Sequence, residues 1–258
     1  MKLSPISSVT DSRPPAPTFV SSFPVDDTRG LAFTGGEAAP QDGKSEALAA
    51  LIRDRVGAPI QRLLVVGCGS GAEAAILAKE LRVEVIGVDL DDSFDPAAAA
   101  LVELRKGDAT QLEFANESFD FVFSYHALEH IQDYGKALGE MKRVLLKGGG
   151  YCVGTPNRLR LVGYLGSRGV TWRDKIAWNI ADWKARLRGR FRNEYGAHAG
   201  FSSAELKASL LHVFGRADEI TLPYYLRVYR GCAGVVKLLG KSGLGRFLFP
   251  SVYFMGTK

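Results

Sequence analysis

The turn Gly67-Cys68-Gly69-Ser70-Gly71 follows one short apolar run, and Asp89 closes the next. Glycines in such a turn let the chain reverse while a ligand approaches the backbone with no Cβ in the way. The helix they open offers N–H groups and the positive end of its dipole, and a carboxylate at the end of the second strand can accept both hydroxyls of a ribose. Together these features imply an adenosine-type ligand. Gly67, Gly69 and Ala72 also satisfy the dinucleotide fingerprint, so an NAD-dependent oxidoreductase competes at this point. Gly107-Asp108-Ala109 then supplies a second carboxylate, suited to an adenine amino group. His126-Ala-Leu-Glu129-His130 matches a zinc-site pattern that on a helix would put both histidines on one face. It follows a strand already claimed by the nucleotide-type site, so no metal is expected. His130 is expected to be structural, and His126 to be either a base or structural. His198 is the other candidate base, since a neutral imidazole titrates near working pH.

These residues need elements to hold them. Ser45–Val56 is Ala/Leu-rich and predicts a helix, and Arg62–Val66 is a continuous apolar run of the kind buried on both faces of a sheet. Helical Ala72–Leu81, a strand from Val83 to Asp89, a short helix at Pro96–Ala100 and strands at Val102–Lys106 and Phe119–Ser124 follow. Asp133–Leu146 predicts a helix stopped by Gly148–Gly150, and Tyr151–Gly154 a fifth strand. Ser202 and Glu205 form a capping box for a helix to about Phe214. Ala217–Leu222 and Ser251–Met255 are expected as the last strands, joined by a Gly- and Leu-rich connection. The alternation predicts an α/β fold, a doubly wound, mostly parallel seven-stranded sheet of Rossmann-like type. Residues 44–258 are expected to form one domain, with residues 1–43 a flexible arm and residues 158–200 a basic, Trp-containing lid or insert after strand five.

The order of the motifs carries more than any one of them. The glycine turn, Asp89, Gly107-Asp108-Ala109, Ser118–Ser124, Leu128-Glu-His-Ile131 and Arg143–Gly149 occur in succession between Leu63 and Asn157. This stretch resembles the class I S-adenosylmethionine-dependent methyltransferases of small molecules, the family that includes quinone-ring methyltransferases. The resemblance implies that Gly67, Gly69 and Gly71, with Cys68 and Ser70 in the same turn, face the methionine part of S-adenosylmethionine. It implies Asp89 and the adjoining Leu90 at the ribose, Asp108 and Ala109 at the adenine, and Tyr125 and His126 at the sulfonium end. His198 falls where related enzymes place substrate-side residues. Three departures stand out: Val65 replaces an acidic residue, Lys147 replaces a common proline, and the helix after strand two is short. Methyl transfer to a small-molecule or lipid-linked acceptor, most readily at oxygen, is the function expected, with S-adenosylhomocysteine as product. A non-enzymatic cofactor-binding protein is the competitor from another class.

The chain has 258 residues, a net charge of +5 and three cysteines without metal spacing, as in a reduced protein. No apolar run is long enough to span a bilayer and no secretory leader is evident, so a cytoplasmic protein is expected. Between Arg158 and Arg192 stand ten Lys or Arg, two Asp and all three tryptophans. Trp172, Ile176, Ile180, Trp183, Leu187 and Phe191 recur at helical spacing, a stripe expected either to pack on the sheet as a lid or to meet an anionic membrane at the inner face. No recognisable nucleic-acid module accompanies the charge, and nothing in the sequence sets the oligomeric state.

Overall fold

The computed structural model describes residues 43–164, 171–193 and 199–258. The arm up to residue 42, His198 and parts of the insert lie outside the described residues. The chain runs α1 (Gly43–Arg55), β1 (Arg62–Val66), α2 (Ala72–Leu81), β2 (Glu84–Asp89), α3 (Pro96–Ala99), β3 (Glu103–Lys106), β4 (Phe119–Tyr125), α4 (Tyr134–Val144) and β5 (Leu145–Pro156). It continues through α5 (Trp172–Leu187), α6 (Ser203–Phe214), β6 (Asp218–Glu219), α7 (Thr221–Val228), α8 (Ala233–Lys241), α9 (Gly245–Leu248) and β7 (Ser251–Thr257). The seven strands lie in the order β3-β2-β1-β4-β5-β7-β6. β1 to β5 pair in parallel, and β7 runs antiparallel to both neighbours.

The continuous apolar strands are explained by two cores. Leu63 and Val65 of β1 point into one with α1, α2 and α7, whereas Leu64 and Val66 point into the other with α4 and α6. Side chains alternate across the sheet, so a strand covered on both faces must be apolar at every position. The chain order reverses between β1 and β4, and the crevice beyond the carboxyl ends of these strands is where an α/β sheet takes its ligand.

Three expectations are corrected. The helix before β5 ends at Val144, and Gly148–Gly150 lie inside the fifth strand instead of stopping the helix. A register shift opposite Phe119 and Phe121 is taken up there, where Gly148 has φ +75° and a Cβ on Gly149 would meet two backbone oxygens at 2.9 Å. The strand expected at Ala217–Leu222 shrinks to Asp218–Glu219, because α7 begins at Thr221. Pro223 sits in its first turn, where a missing N–H costs no helical bond. The connection to β7 is largely helical.

The third concerns the insert. Helix α5 opens with a capping box between Thr171 and Asp174 and buries none of its residues. Trp172, Ile176, Ile180, Trp183 and Leu187 are 49–89 % exposed, and of the stripe only Phe191, beyond the helix, is buried. The helix is held instead by its polar face. Asn179 exchanges hydrogen bonds with the backbone of Gly163 at 2.7 and 3.1 Å, and Arg186 donates to the carbonyls of Arg158 and Arg160 at 2.7 and 2.8 Å. The stripe is therefore not packed on the sheet; it lines an open groove with Leu161 and Val162.

The glycine turn divides by what each glycine avoids. At Gly67 (φ +74°) a Cβ would lie 2.1 Å from Cβ of Ala127, and at Gly71 (φ +86°) 2.4 Å from Leu104, while at Gly69 (φ +53°) nothing lies within 4 Å. Gly67→Ala should cost well over the roughly 1–2 kcal/mol of a left-handed alanine and lower Tm by at least about 5 °C. Gly69→Ala should cost the backbone term alone. Equal losses in thermal denaturation would refute this division.

Candidate functional site

Asp89 ends β2 and reaches back to the glycine turn. Its Oδ2 accepts from Gly69 N–H at 2.7 Å, and its Oδ1 from Asp91 N–H at 3.1 Å. Gly67 and Cys68 N–H both donate to the Val88 carbonyl, and Gly71 N–H to that of Cys68. Four N–H groups of the turn are thus satisfied within the protein, whereas a pyrophosphate would need such groups for itself. Asp91, Asp92 and Asp95 follow Asp89 closely, a neighbourhood that favours a cationic ligand over an anionic one. Leu90 beside the carboxylate is 72 % exposed, an apolar surface open to a flat ring. Cys68 is buried, and burial first, then the Asp89 charge, pushes its thiol up to about 12. It is a packing residue rather than a nucleophile.

The exit of β4 lies against the same turn through the Gly67–Ala127 approach. Tyr125 stacks on Tyr253 of β7 with ring centroids 5.6 Å apart, and on the other side meets His126 at 4.0 Å. Burial, then the nearby Tyr224 and Glu73, raises the Tyr125 phenol well above its ordinary range. His126 has a left-handed backbone, φ +53°, and is exposed, with Nε2 3.1 Å from Ser251 Oγ. It precedes the 3-10 turn Leu128–His130 and does not share a helical face with His130. Among the described residues no group of three His, Cys, Asp or Glu is placed to hold a metal.

Known proteins fit this geometry. Residues 64–153 match the family model described as a methyltransferase domain. That stretch, which holds the glycine turn, Asp89 and Asp108, is thus similar to methyltransferase domains. A probable S-adenosylmethionine-dependent methyltransferase from Mycolicibacterium smegmatis is 35 % identical over 100 residues, covering 38 % of each chain. Demethylmenaquinone methyltransferase from Staphylococcus aureus is 36 % identical over 96 residues, 34 % of this chain and 40 % of that one. The chain therefore spans about two-fifths of the length of these relatives. A methyltransferase structure from Thermotoga maritima superposes with a TM-score of 0.50 at 23 % identity, over 82 % of this chain and 89 % of that one, a likeness of fold.

Within that matched stretch the remaining expected residues scatter more. Asp108 is exposed, and its Oδ1 accepts from Thr110 N–H at 2.7 Å, which lowers its carboxyl pKa. It stays beside Asp89, because Gly107 N–H donates to the Asp89 carbonyl at 2.8 Å, and Ala109 packs on the second core. Ser70 accepts at its carbonyl from Asp95 N–H, which holds the turn against the start of α3.

Three ionisable side chains near the site have burial that no motif reveals. Glu129 is buried, and among the described residues neither carboxylate oxygen has a hydrogen-bond partner. Burial pushes its pKa up to about 8, against the opposing pull of its own backbone N–H and of Arg160. Arg160, also buried, lies 3.3 Å from Asp182 of α5. Glu73 at the start of α2 accepts from Ser45 Oγ at 3.1 Å and is raised by burial to about 7. Each carboxyl holds its proton more tightly folded than unfolded, so its contribution is fully present below pH 4.5. It is lost as pH rises through about 7 for Glu73 and 8 for Glu129. Urea denaturation should show stability falling from pH 5 to pH 8.5, and Glu129→Gln should flatten that fall by an amount of the order of a few kcal/mol. An unchanged slope would mean that Glu129 is charged in the fold.

Proposed function

We propose that this chain transfers the methyl group of S-adenosylmethionine to an oxygen of a small-molecule or lipid-linked acceptor, with S-adenosylhomocysteine as product. The carrying observation is the Gly69–Asp89 contact at the switch point, with open space over Gly69 and the turn's N–H groups already engaged. The cofactor supplies a methyl carbon bound to positively charged sulfur, an electrophile that needs alignment more than activation. The spare acceptor capacity of Asp89 suits the ribose hydroxyls, Leu90 and Ala109 an adenine ring flanked by Asp108, and Gly67 to Gly71, with Cys68 and Ser70, the methionine end. Tyr125, at the end of β4 between Tyr253 and His126, would line the sulfonium end with its edge. His126, positioned by Ser251, takes the proton of a hydroxyl acceptor as the oxygen attacks the methyl carbon and sulfur keeps the electron pair of the broken bond. His198 is the alternative base, from outside the described residues. We further propose residues 44–258 as one domain, carrying residues 158–200 as an insert on the acceptor side, and a cytoplasmic setting, which the free thiols of Cys68, Cys152 and Cys232 favour.

Calorimetry should find S-adenosylhomocysteine binding and no NAD binding; the reverse would overturn the reading. Asp89→Ala removes hydrogen bonds to a charged acceptor, each about 1.5–3 kcal/mol, and should weaken S-adenosylhomocysteine at least tenfold. With an acceptor in hand, His126→Ala should lower turnover by roughly 10²–10⁴ at nearly unchanged cofactor affinity. A loss of stability alone would leave His126 structural.

A further inference from the structure

Helix α5 leaves its apolar stripe exposed, and its contacts explain how that orientation is held. Asp182 accepts from the Tyr164 hydroxyl at 3.2 Å and lies 3.3 Å from Arg160, while Asp174 serves the capping box with Thr171. Both acids of the helix are therefore engaged, and Arg173, Lys184 and Arg188 are left exposed on it. The indole N–H of Trp183 donates to the Leu161 carbonyl at 2.8 Å. That ring can enter an apolar medium without carrying an unpaired donor with it. Leu161 and Val162 join the stripe to line an open apolar groove of about 570 Å³ with Lys175 and Lys184 at its edge.

A second surface of the same character adjoins it. Leu161 N–H donates to the Phe247 carbonyl at 2.7 Å, which ties the groove to α9. Val235, Leu238, Leu244 and Leu248 of the α8–α9 region are exposed. From Ile220 to Lys258 the sequence has six Lys or Arg and no Asp or Glu, and Lys237, Lys241 and Arg246 are exposed among those apolar residues.

We propose that this face, built from α5, the 159–163 loop and α8–α9, docks on an anionic lipid bilayer. Apolar side chains rimmed by cations alone match the boundary between acyl chains and anionic headgroups. A second copy of the chain is disfavoured by the same charges, since a symmetric contact would set two basic faces against each other. The inference stands apart from methyl transfer, because vesicle binding is read without acceptor or turnover.

The test uses the full chain with vesicles of phosphatidylcholine alone or with 30 % phosphatidylglycerol. All three tryptophans lie on α5, so their emission reports on this helix. The emission should shift to the blue with the anionic vesicles and at least tenfold more weakly with the neutral ones, and added salt should reverse it. Ile176→Ser with Ile180→Ser should weaken partitioning at least tenfold. Lys184→Gln with Arg188→Gln should weaken it roughly fivefold per charge, about 1 kcal/mol each. Both variants should keep wild-type circular dichroism and S-adenosylhomocysteine affinity. Absence of partitioning, equal partitioning to neutral vesicles, or a dimer in sedimentation velocity that the isoleucine changes dissociate would each overturn the proposal; the last would assign the face to a second copy.

Discussion

No side chain fits where β1 ends. Gly67 comes so close to Ala127 that a methyl group on it would overlap the alanine's own, and much of the site depends on that contact. It brings the glycine turn, to which Asp89 is bonded through Gly69, against the segment that leaves β4 after Tyr125 and His126. A larger residue would push the first and fourth strands apart at the point where the sheet changes direction. Gly69 is the one glycine of the turn with open space around it.

The electrostatics follow from the same closeness. With Gly69 N–H given to Asp89, the turn keeps its shape without a ligand and does not act as an anion cradle. Asp92 is offset by Lys106 at 3.2 Å, but Asp89 and Asp91 keep the end of β2 acidic, which suits a cation better than a pyrophosphate. This is the physical difference between two readings that the glycine spacing alone leaves level.

The parallel half of the fold was legible because buried strands and amphipathic helices differ in period, and Arg62–Val66 or Phe119–Tyr125 admit few other readings. The glycine turn and Asp89 were legible for the same local reason. Ala217–Leu222 was not, since a short apolar run fits a strand or a helix and the proline that decides it comes one residue later. The stripe of α5 showed its period but not its partner. Periodicity says which residues share a face, and only the hydrogen bonds of Asn179, Asp182 and Arg186 say which face meets the protein. Glu129 stood in a motif, but its burial, like that of Arg160 beside Asp182, comes from tertiary packing and leaves no local pattern.

The placing of β7 has a consequence for how the molecule is made. Among the described residues β6 pairs with β7 alone, and β7, the last strand in the chain, slots between β5 and β6. A chain emerging from the ribosome has β1 to β5, and with them the glycine turn and Asp89, as soon as Pro156 is out. The far edge must wait for Thr257. Until then β5 presents an open edge of backbone N–H and C=O groups along Gly150–Pro156, a template for any extended segment nearby. The nascent domain thus passes through a stage in which one half is complete while its exposed edge awaits the last strand, and that interval is where misassembly would begin.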